Sequence, residues 1–243
     1  MKDKTATRAL VTGASSPVGA AIARRLAGGG HHVILHAHAN GAAVEALRDD
    51  VLATGGSAET LLLDLTDPAS ADVIGALAAE APVQVFVHAV GQQRDMPFAA
   101  MEVADWTQII DVNLNSFFIA LRPLVVPMMR ARWGRVVAIS SLTAVVGNRG
   151  QANYAAAKGG LVAVAKTLAR EYGSRGITAN VVAPGLVDTP ATRALENYEE
   201  LTRMSPARRA ATPDEVAALV CFVTSRESDY LSGQLICLDG GMS

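Results

Sequence analysis

Three features of the amino-acid sequence predict an α/β fold built on one doubly wound parallel sheet. Short β-rich runs alternate with helical stretches from end to end, the order that places helices on both faces of a sheet. Runs such as "VQVFVHA" and "RVVAIS" are almost continuously apolar, as strands buried on both faces are. The first strand passes into "VTGASSPVGAAIA", a glycine turn and a small-residue helix, and such sheets bind ligands at the carboxyl ends of their strands. Together these describe a Rossmann-type, seven-stranded sheet in a single domain over residues 1–243.

The elements follow in order. A strand over 8–12 meets the glycine turn, and a helix over 17–27 starts at Pro17. Proline is favoured at a first helical position, where its missing N–H would have no intrahelical partner. Ser16 before it is held out of the α region and suits an N-cap. The β-rich run 32–36 is the second strand, followed by a helix over 42–53, and the unit repeats as strand 58–63 with helix 69–80. Strand 83–88 precedes a long helix over 101–132, and strand 135–140 precedes a helix over 151–172. Strand 177–183 leads through a variable stretch, about 189–212, to a helix over 213–224 and a last strand over 234–238. The segment "QANYAAAKGGLVAVAKTLAREY" is apolar or small on nearly every face of its middle turns, whereas covering one sheet needs a single apolar stripe. The surplus calls for burial against something else, with 101–132 as its companion, so a self-complementary helix-pair interface and a homotetramer or homodimer are expected.

Bulk composition narrows the class. Half the residues are apolar and 18% are charged, enough for a sizeable core and unlike a disordered chain. A net charge of −2 gives no electrostatic case for nucleic acid or an anionic membrane as partner. No apolar run reaches the roughly 18 residues of a spanning helix, and "MKDKTATRALVTG" enters a strand without a leader-like apolar region. Cys221 and Cys237 lack metal-ligand spacing and read as buried free thiols. No solenoid repeat or low-complexity linker is present. The expectation is a soluble, cytoplasmic protein.

The first turn reads as a dinucleotide site. Gly13 permits a tight turn, Gly19 permits close helix–strand packing, and N–H groups at the helix start face a pyrophosphate. Asp64, after three leucines at a strand end, is placed to accept from an adenine amino group; the plainer alternative is a helix cap, a task for which Asp67 is better placed. The second strand ends in His36, Ala37 and His38 with no acid before Glu45. An NAD enzyme usually carries an acid there, so NADP(H) is expected, with NAD(H) the alternative because no Lys or Arg awaits a 2′-phosphate. His32, His36 and His38 share a strand face, but no Cys or carboxylate joins them, so no metal is expected.

"SSLTAVVGNRGQANYAAAK" carries the chemistry. Tyr154 and Lys158 lie four apart, on one face of the helix. A tyrosine titrates near pH ~10, too high for efficient acid–base work at neutrality, and a nearby ammonium is expected to lower that value. Ser141 ends the preceding strand and is placed to bond a substrate oxygen. Two surface residues on an amphipathic helix is the bland alternative, and this helix is too apolar for it.

The ordered set "TGASSPVG", "DVNLNSFF", "ISS" before "YAAAK", "NVVAPGLVDT" and "SGQLICLDGG" resembles the short-chain dehydrogenase/reductase family over essentially the whole chain. The resemblance implies that Asn113 holds a water in a proton relay, Ser141 polarises a carbonyl, Tyr154 donates a proton, and Lys158 bonds the nicotinamide ribose and depresses the tyrosine. It implies cofactor contacts from Gly13, Ser15, Ser16, Val18, Gly19, His36, Asp64 and Leu65. Further contacts are implied for Ala89 and Gly91 after the fourth strand, and for Pro184, Gly185, Val187 and Thr189 after the sixth. The chain departs from the family in two places. Its Asn-Asn-Ala-Gly is here "HAVG", His88 to Gly91, and the usual base and middle glycine of the first turn are Ser16 and Pro17.

Within that family, "GNRGQANYAAAKGGL" and "SRGITANVVAPGLVDT" are similar to bacterial β-ketoacyl-[acyl-carrier-protein] reductases. This implies reduction of a 3-ketoacyl thioester on acyl carrier protein, in fatty-acid or polyene/polyketide-type biosynthesis. In that group an arginine nine residues before the serine and another 21 after the tyrosine dock the carrier; the matching positions are Arg132 and Arg175. Arg203, Arg208 and Arg209 lie in the expected lid, where a basic surface suits a carrier but is also an ordinary solvated face. The alternatives are an alcohol, sugar or polyol dehydrogenase and a non-catalytic dinucleotide sensor. An enoyl reductase is disfavoured because that group spaces its tyrosine and lysine more widely.

Overall fold

The computed structural model describes residues 7–243, so the leaderless reading of residues 1–6 lies outside it. Seven strands form one sheet in the order β3-β2-β1-β4-β5-β6-β7. They are β1 Arg8–Thr12, β2 His32–Ala37, β3 Ser57–Leu62, β4 Val83–His88, β5 Gly134–Ile139, β6 Ile177–Pro184 and β7 Leu235–Leu238. Every neighbouring pair is parallel. Chain order reverses beside β1, which pairs with both β2 and β4, and the crevice of a doubly wound sheet opens at that point.

Alternate residues of each strand feed separate cores. Ala9 and Val11 of β1 pack among α1 Pro17–Gly28, α2 Gly41–Ala53 and α10 Pro213–Thr224. Leu10 points to the opposite face, under α3 Ser70–Glu80, α5 Ser116–Ala131 and α7 Ala152–Tyr172. Burial on both faces explains the near-continuous apolar runs. "RVVAIS" hides one exception. Arg135 is 1% exposed, donating from Nη1 to the Gly134 carbonyl at 2.8 Å, paired with Asp229 and stacked 4.5 Å from the Trp133 ring centre.

The expected helix over 101–132 runs from Val103 to Ala131 but is broken in register. α4 Val103–Ile110 and α5 are joined by a π turn, Asp111–Asn115, a distortion that often marks functional sites. By length and composition this helix is apolar enough to cross a membrane, contrary to the sequence expectation. Here its inner residues Phe117, Leu121, Leu124 and Met128 belong to the core. That burial also carries the helix past Pro123 and Pro127, each of which removes a helical bond. Three short helices were not foreseen: α6 Thr143–Val146, and, within the expected lid, α8 Pro190–Arg193 and α9 Tyr198–Met204.

Candidate active site

The glycine turn is held from within. Ser16 is the N-cap of α1 in extended conformation, with Pro17 at the first position. Its Oγ accepts from the Gly19 N–H at 3.0 Å and donates to the Gly13 carbonyl at 2.8 Å. Gly13 sits at φ +69°, and a Cβ there would come within 2.7 Å of the Ala89 carbonyl oxygen. A Cβ on Gly19 would overlap the Gly13 carbonyl. Both glycines are therefore required by close backbone approach. Because the Gly19 N–H is committed to Ser16, this glycine serves packing. Val18, the second residue of α1, is at a first-turn position whose N–H lacks an intrahelical acceptor.

A cleft of about 240 Å³ opens along this turn. Gly13, Ser15, Ser16 and His36 form one wall, and Asp64, Leu65, Ala89 and Gly91 come from the ends of β3 and β4. A Cβ on Gly91 would stand 3.6 Å from Lys158 Nζ, so the cleft leads directly to the catalytic helix. The glycines that a Cβ would block and the open helix start fit a dinucleotide pyrophosphate. Asp64 is tied to its own loop: Oδ1 accepts from the Thr66 N–H at 2.9 Å and hydroxyl at 2.7 Å, which holds its carboxyl below the usual range. Its other oxygen lies 3.7 Å from His38 Nε2. Asp67 accepts from the Ala69 N–H at 2.9 Å in the turn ahead of α3, but the helix begins after Ala69 with no side-chain cap, so neither aspartate caps it.

The three histidines of β2 and its end have separate partners. His32 reaches Ser57 and Glu59, and His38 faces Asp64. His36 is buried, accepts from the Gly13 N–H at Nδ1 (3.3 Å) and donates from Nε2 to the Leu63 carbonyl (3.0 Å). Burial pushes it down to about 4, so its ring is neutral.

Tyr154 and Lys158 are both buried on α7, with Nζ 5.7 Å from the phenol ring centre. Nζ donates to the Val90 carbonyl at 2.8 Å and the Ile139 carbonyl at 2.9 Å. Full burial pushes Lys158 down to about 7, while its carbonyl partners favour the ammonium. The expected effect on Tyr154 needs correction. Burial raises the phenol above its ordinary value, and the bonds that pull it down come from Gln93 and Ser141, not from Lys158. Ser141 Oγ accepts from the Thr143 N–H at 3.2 Å, which leaves its own hydrogen free to donate.

Asn113 sits fully buried in the π turn. Its Oδ1 accepts from the Gln92 N–H at 3.2 Å, and Nδ2 donates to the Gln92 and Ile109 carbonyls, both at 2.9 Å. The side chain fastens the loop after β4.

Sequence reasoning missed that loop's other contacts. Gln93 bonds Tyr154, and Asp95 accepts from Gln151 Nε2 at 2.7 Å, just before α7. "GQQRD" carries no recognisable spacing, so these residues emerge only once β4 and α7 are placed together.

Beyond β6, the Pro184 carbonyl accepts from the Leu142 N–H at 2.9 Å, and Gly185 passes so near Asp239 that a Cβ would meet its Cα at 3.0 Å. Val187 bridges Ala211, and Thr189 caps α8 by accepting from the Thr192 N–H at 3.2 Å. The basic lid is partly neutralised, with Arg203 on Glu199 at 2.8 Å and Arg209 on Glu215 at 2.6 Å. Arg132, left-handed at the end of α5, donates to the Ser174 carbonyl at 3.3 Å, next to Arg175. The pair precedes β5 and β6, whereas Ser141 follows β5, so a six-residue strand of about 20 Å separates Arg132 and Arg175 from the cleft end.

A seven-stranded parallel sheet with this glycine turn, a half-buried Ser141 and the buried Tyr154 and Lys158 defines a dinucleotide-dependent oxidoreductase of the short-chain type. The family model described as enoyl-(acyl carrier protein) reductase matches residues 13–243, and the chain belongs to that family, the short-chain dehydrogenases/reductases. It is 42% identical over 238 residues to the 3-oxoacyl-[acyl-carrier-protein] reductase FabG of Escherichia coli, covering 96% of each chain. It is 38% identical over 238 residues to the protein of that name from Vibrio cholerae, again covering 96% of each. It is also 38% identical over 248 residues to nodulation protein G of a Rhizobium species, covering 100% of this chain and 99% of the relative.

Proposed function

We propose that this protein reduces the keto group of a 3-ketoacyl thioester on acyl carrier protein to the 3-hydroxyacyl thioester, using NADP(H), in fatty-acid or polyene/polyketide-type biosynthesis. The observation that carries the reading is the convergence of Ser141, which pulls the Tyr154 phenol down, with Tyr154 and Lys158, whose Nζ is 5.7 Å from the phenol ring centre, in a chain similar throughout to 3-oxoacyl reductases. The dinucleotide supplies the hydride. Tyr154, kept protonated by burial, gives its proton to the developing alkoxide, and Ser141 donates a hydrogen bond to the same oxygen, a preorganised stabilisation. Lys158 has three N–H donors, and with carbonyls on two of them one remains for a ribose hydroxyl. The lack of a carboxylate at 36–38 supports NADP(H) over NAD(H).

The assembly belongs to the same reading. The outer face of α5 exposes Phe118 and Val126 beside a groove of about 1010 Å³ between α3, α5 and α7; a second copy fills it in a homodimer or homotetramer. Residues 189–212 form the substrate lid of a single cytoplasmic domain. Steady-state turnover of keto thioesters, free ketones and polyols, with NADPH and NADH in parallel, tests the substrate class. Tyr154→Phe should lower kcat/KM on acetoacetyl thioester by about 10²–10⁴-fold. Near-normal turnover of that variant would refute the assignment.

A further inference from the structure

We propose that His36 and His88 are a pair of positioning residues, two neutral imidazoles that reach from the strands on either side of β1 and fix Thr12 and Gly13, the start of the cofactor turn. β1 lies between β2 and β4, and both histidines occupy the carboxyl ends of those neighbours, with Thr12 and His88 in direct register. His88 stands where the family has asparagine, and nothing in the Ser–Tyr–Lys chemistry calls for either ring.

The proton positions follow from the acceptors. His36 Nε2 is 3.0 Å from the Leu63 carbonyl, which can only accept, so Nε2 carries the hydrogen and Nδ1 presents a lone pair to the Gly13 N–H at 3.3 Å. The His36 carbonyl also accepts from the Ala14 N–H at 2.9 Å, so one residue holds two successive amides of the turn. For His88, Nε2 is 3.4 Å from Ser116 Oγ, whose own hydrogen goes to the Val112 carbonyl at 2.5 Å. Ser116 can therefore only accept there, Nε2 again carries the hydrogen, and Nδ1 accepts from Thr12 Oγ1 at 2.9 Å. The His88 ring is wholly buried, edge-on to Phe117 at 5.5 Å between ring centres, and cannot swing to other partners.

The two contacts differ in tolerance. Thr12 can turn its hydroxyl, but the Gly13 N–H is fixed by the backbone and needs an acceptor. A proton on His36 Nδ1 would set donor against donor at the point where Gly13 leaves β1. The charged or titratable groups facing His36 are His38 and Asp64, and those facing His88 are Lys158 and His36. His88 also bonds Ser116, the first residue of α5, directly after the π turn and three residues past Asn113, so the ring joins the cofactor turn to the segment that fastens Gln92.

The inference rests on the dinucleotide reading for its consequence, and its test separates the two. Two-bond ¹H–¹⁵N spectra of the imidazoles at pH 7 need no ligand: both rings should show Nε2–H, and an Nδ1–H ring at either position overturns the clamp. Asparagine at position 36 or 88 keeps an acceptor near the Nδ1 site, whereas glutamine places its amide near the Nε2 site. His36→Gln should raise the NADPH Kd, measured by fluorescence titration, about tenfold and speed Gly13 amide exchange. His36→Asn should stay within about threefold of the parent on both readings. In turnover, His36→Gln should raise the NADPH KM more than it lowers kcat. Equal losses in the Asn and Gln variants, or none in either, would overturn the proposal. If the parent binds neither NADPH nor NADH, the dinucleotide reading fails while the spectra and exchange rates still judge the clamp.

Discussion

Acid should weaken the fold through His36 in a way that one substitution removes. Burial is the largest influence on its ring; the Leu63 carbonyl and Asp64 oppose it, and His38 adds to it, with a net fall from 6.5 to about 4. At about 1.4 kcal/mol per pH unit, that fall corresponds to about 3 kcal/mol of preference for the neutral ring. The unfolded chain takes up a proton as pH drops through 6.5, while the folded chain resists until about 4. The unfolded state therefore binds more protons throughout that window, and stability declines as pH falls across it. His36→Asn has no such titration. Urea denaturation of both proteins at matched concentration, at pH 7, 5.5 and 4, isolates the effect, because carboxylates and His88 contribute to both. The parent should lose about 3 kcal/mol more than the variant between pH 7 and 4. Parallel losses would refute the burial and hydrogen bonding assigned to this ring.

Further outcomes follow from the turn and the outer face. Ser16→Ala removes the acceptor of the Gly19 N–H and the donor to Gly13, and should cost about 1 kcal/mol, a fall of roughly 2–4 °C in Tm by calorimetry. An unchanged Tm would mean that the cap contributes nothing. Gly19→Ala should abolish NADPH binding in fluorescence titration while circular dichroism still shows an α/β protein, since its Cβ would overlap the Gly13 carbonyl. Phe118→Glu, on the outer face of α5, should yield monomers in sedimentation equilibrium. Parent protein that is already monomeric at micromolar concentration would remove the interface.

The inner strands β1, β2, β4, β5 and β6 were legible to within a residue because burial on both faces writes a compact, largely apolar run directly. Ser16 and Pro17 were legible for a different reason, since capping is local and depends on residues within one turn. The break at Asp111–Asn115 was not. It is stabilised by Asn113 bonding Gln92, 21 positions earlier, a contact that exists only after β4 and the helix are packed. The tyrosine's environment was misjudged for a related reason. Spacing places Lys158 on Tyr154's face, but the carbonyls of Val90 and Ile139, on two other segments, decide where the ammonium lies.

The two departures from the family pattern are connected in space. Pro17 removes an N–H at a position where a helix has no use for one, and Ser16 beside it binds Gly13 from the helix side. His88 and His36 bind Thr12 and Gly13 from the sheet side. The turn thus has a partner on each flank: the Gly13 carbonyl accepts from the Ser16 amide at 3.0 Å and from its hydroxyl, and the Gly13 amide is held by His36. A serine cap in place of a base and a histidine in place of an asparagine therefore act on the same residue from opposite directions. Their combined effect is a turn fixed by short-range bonds of this chain's own making.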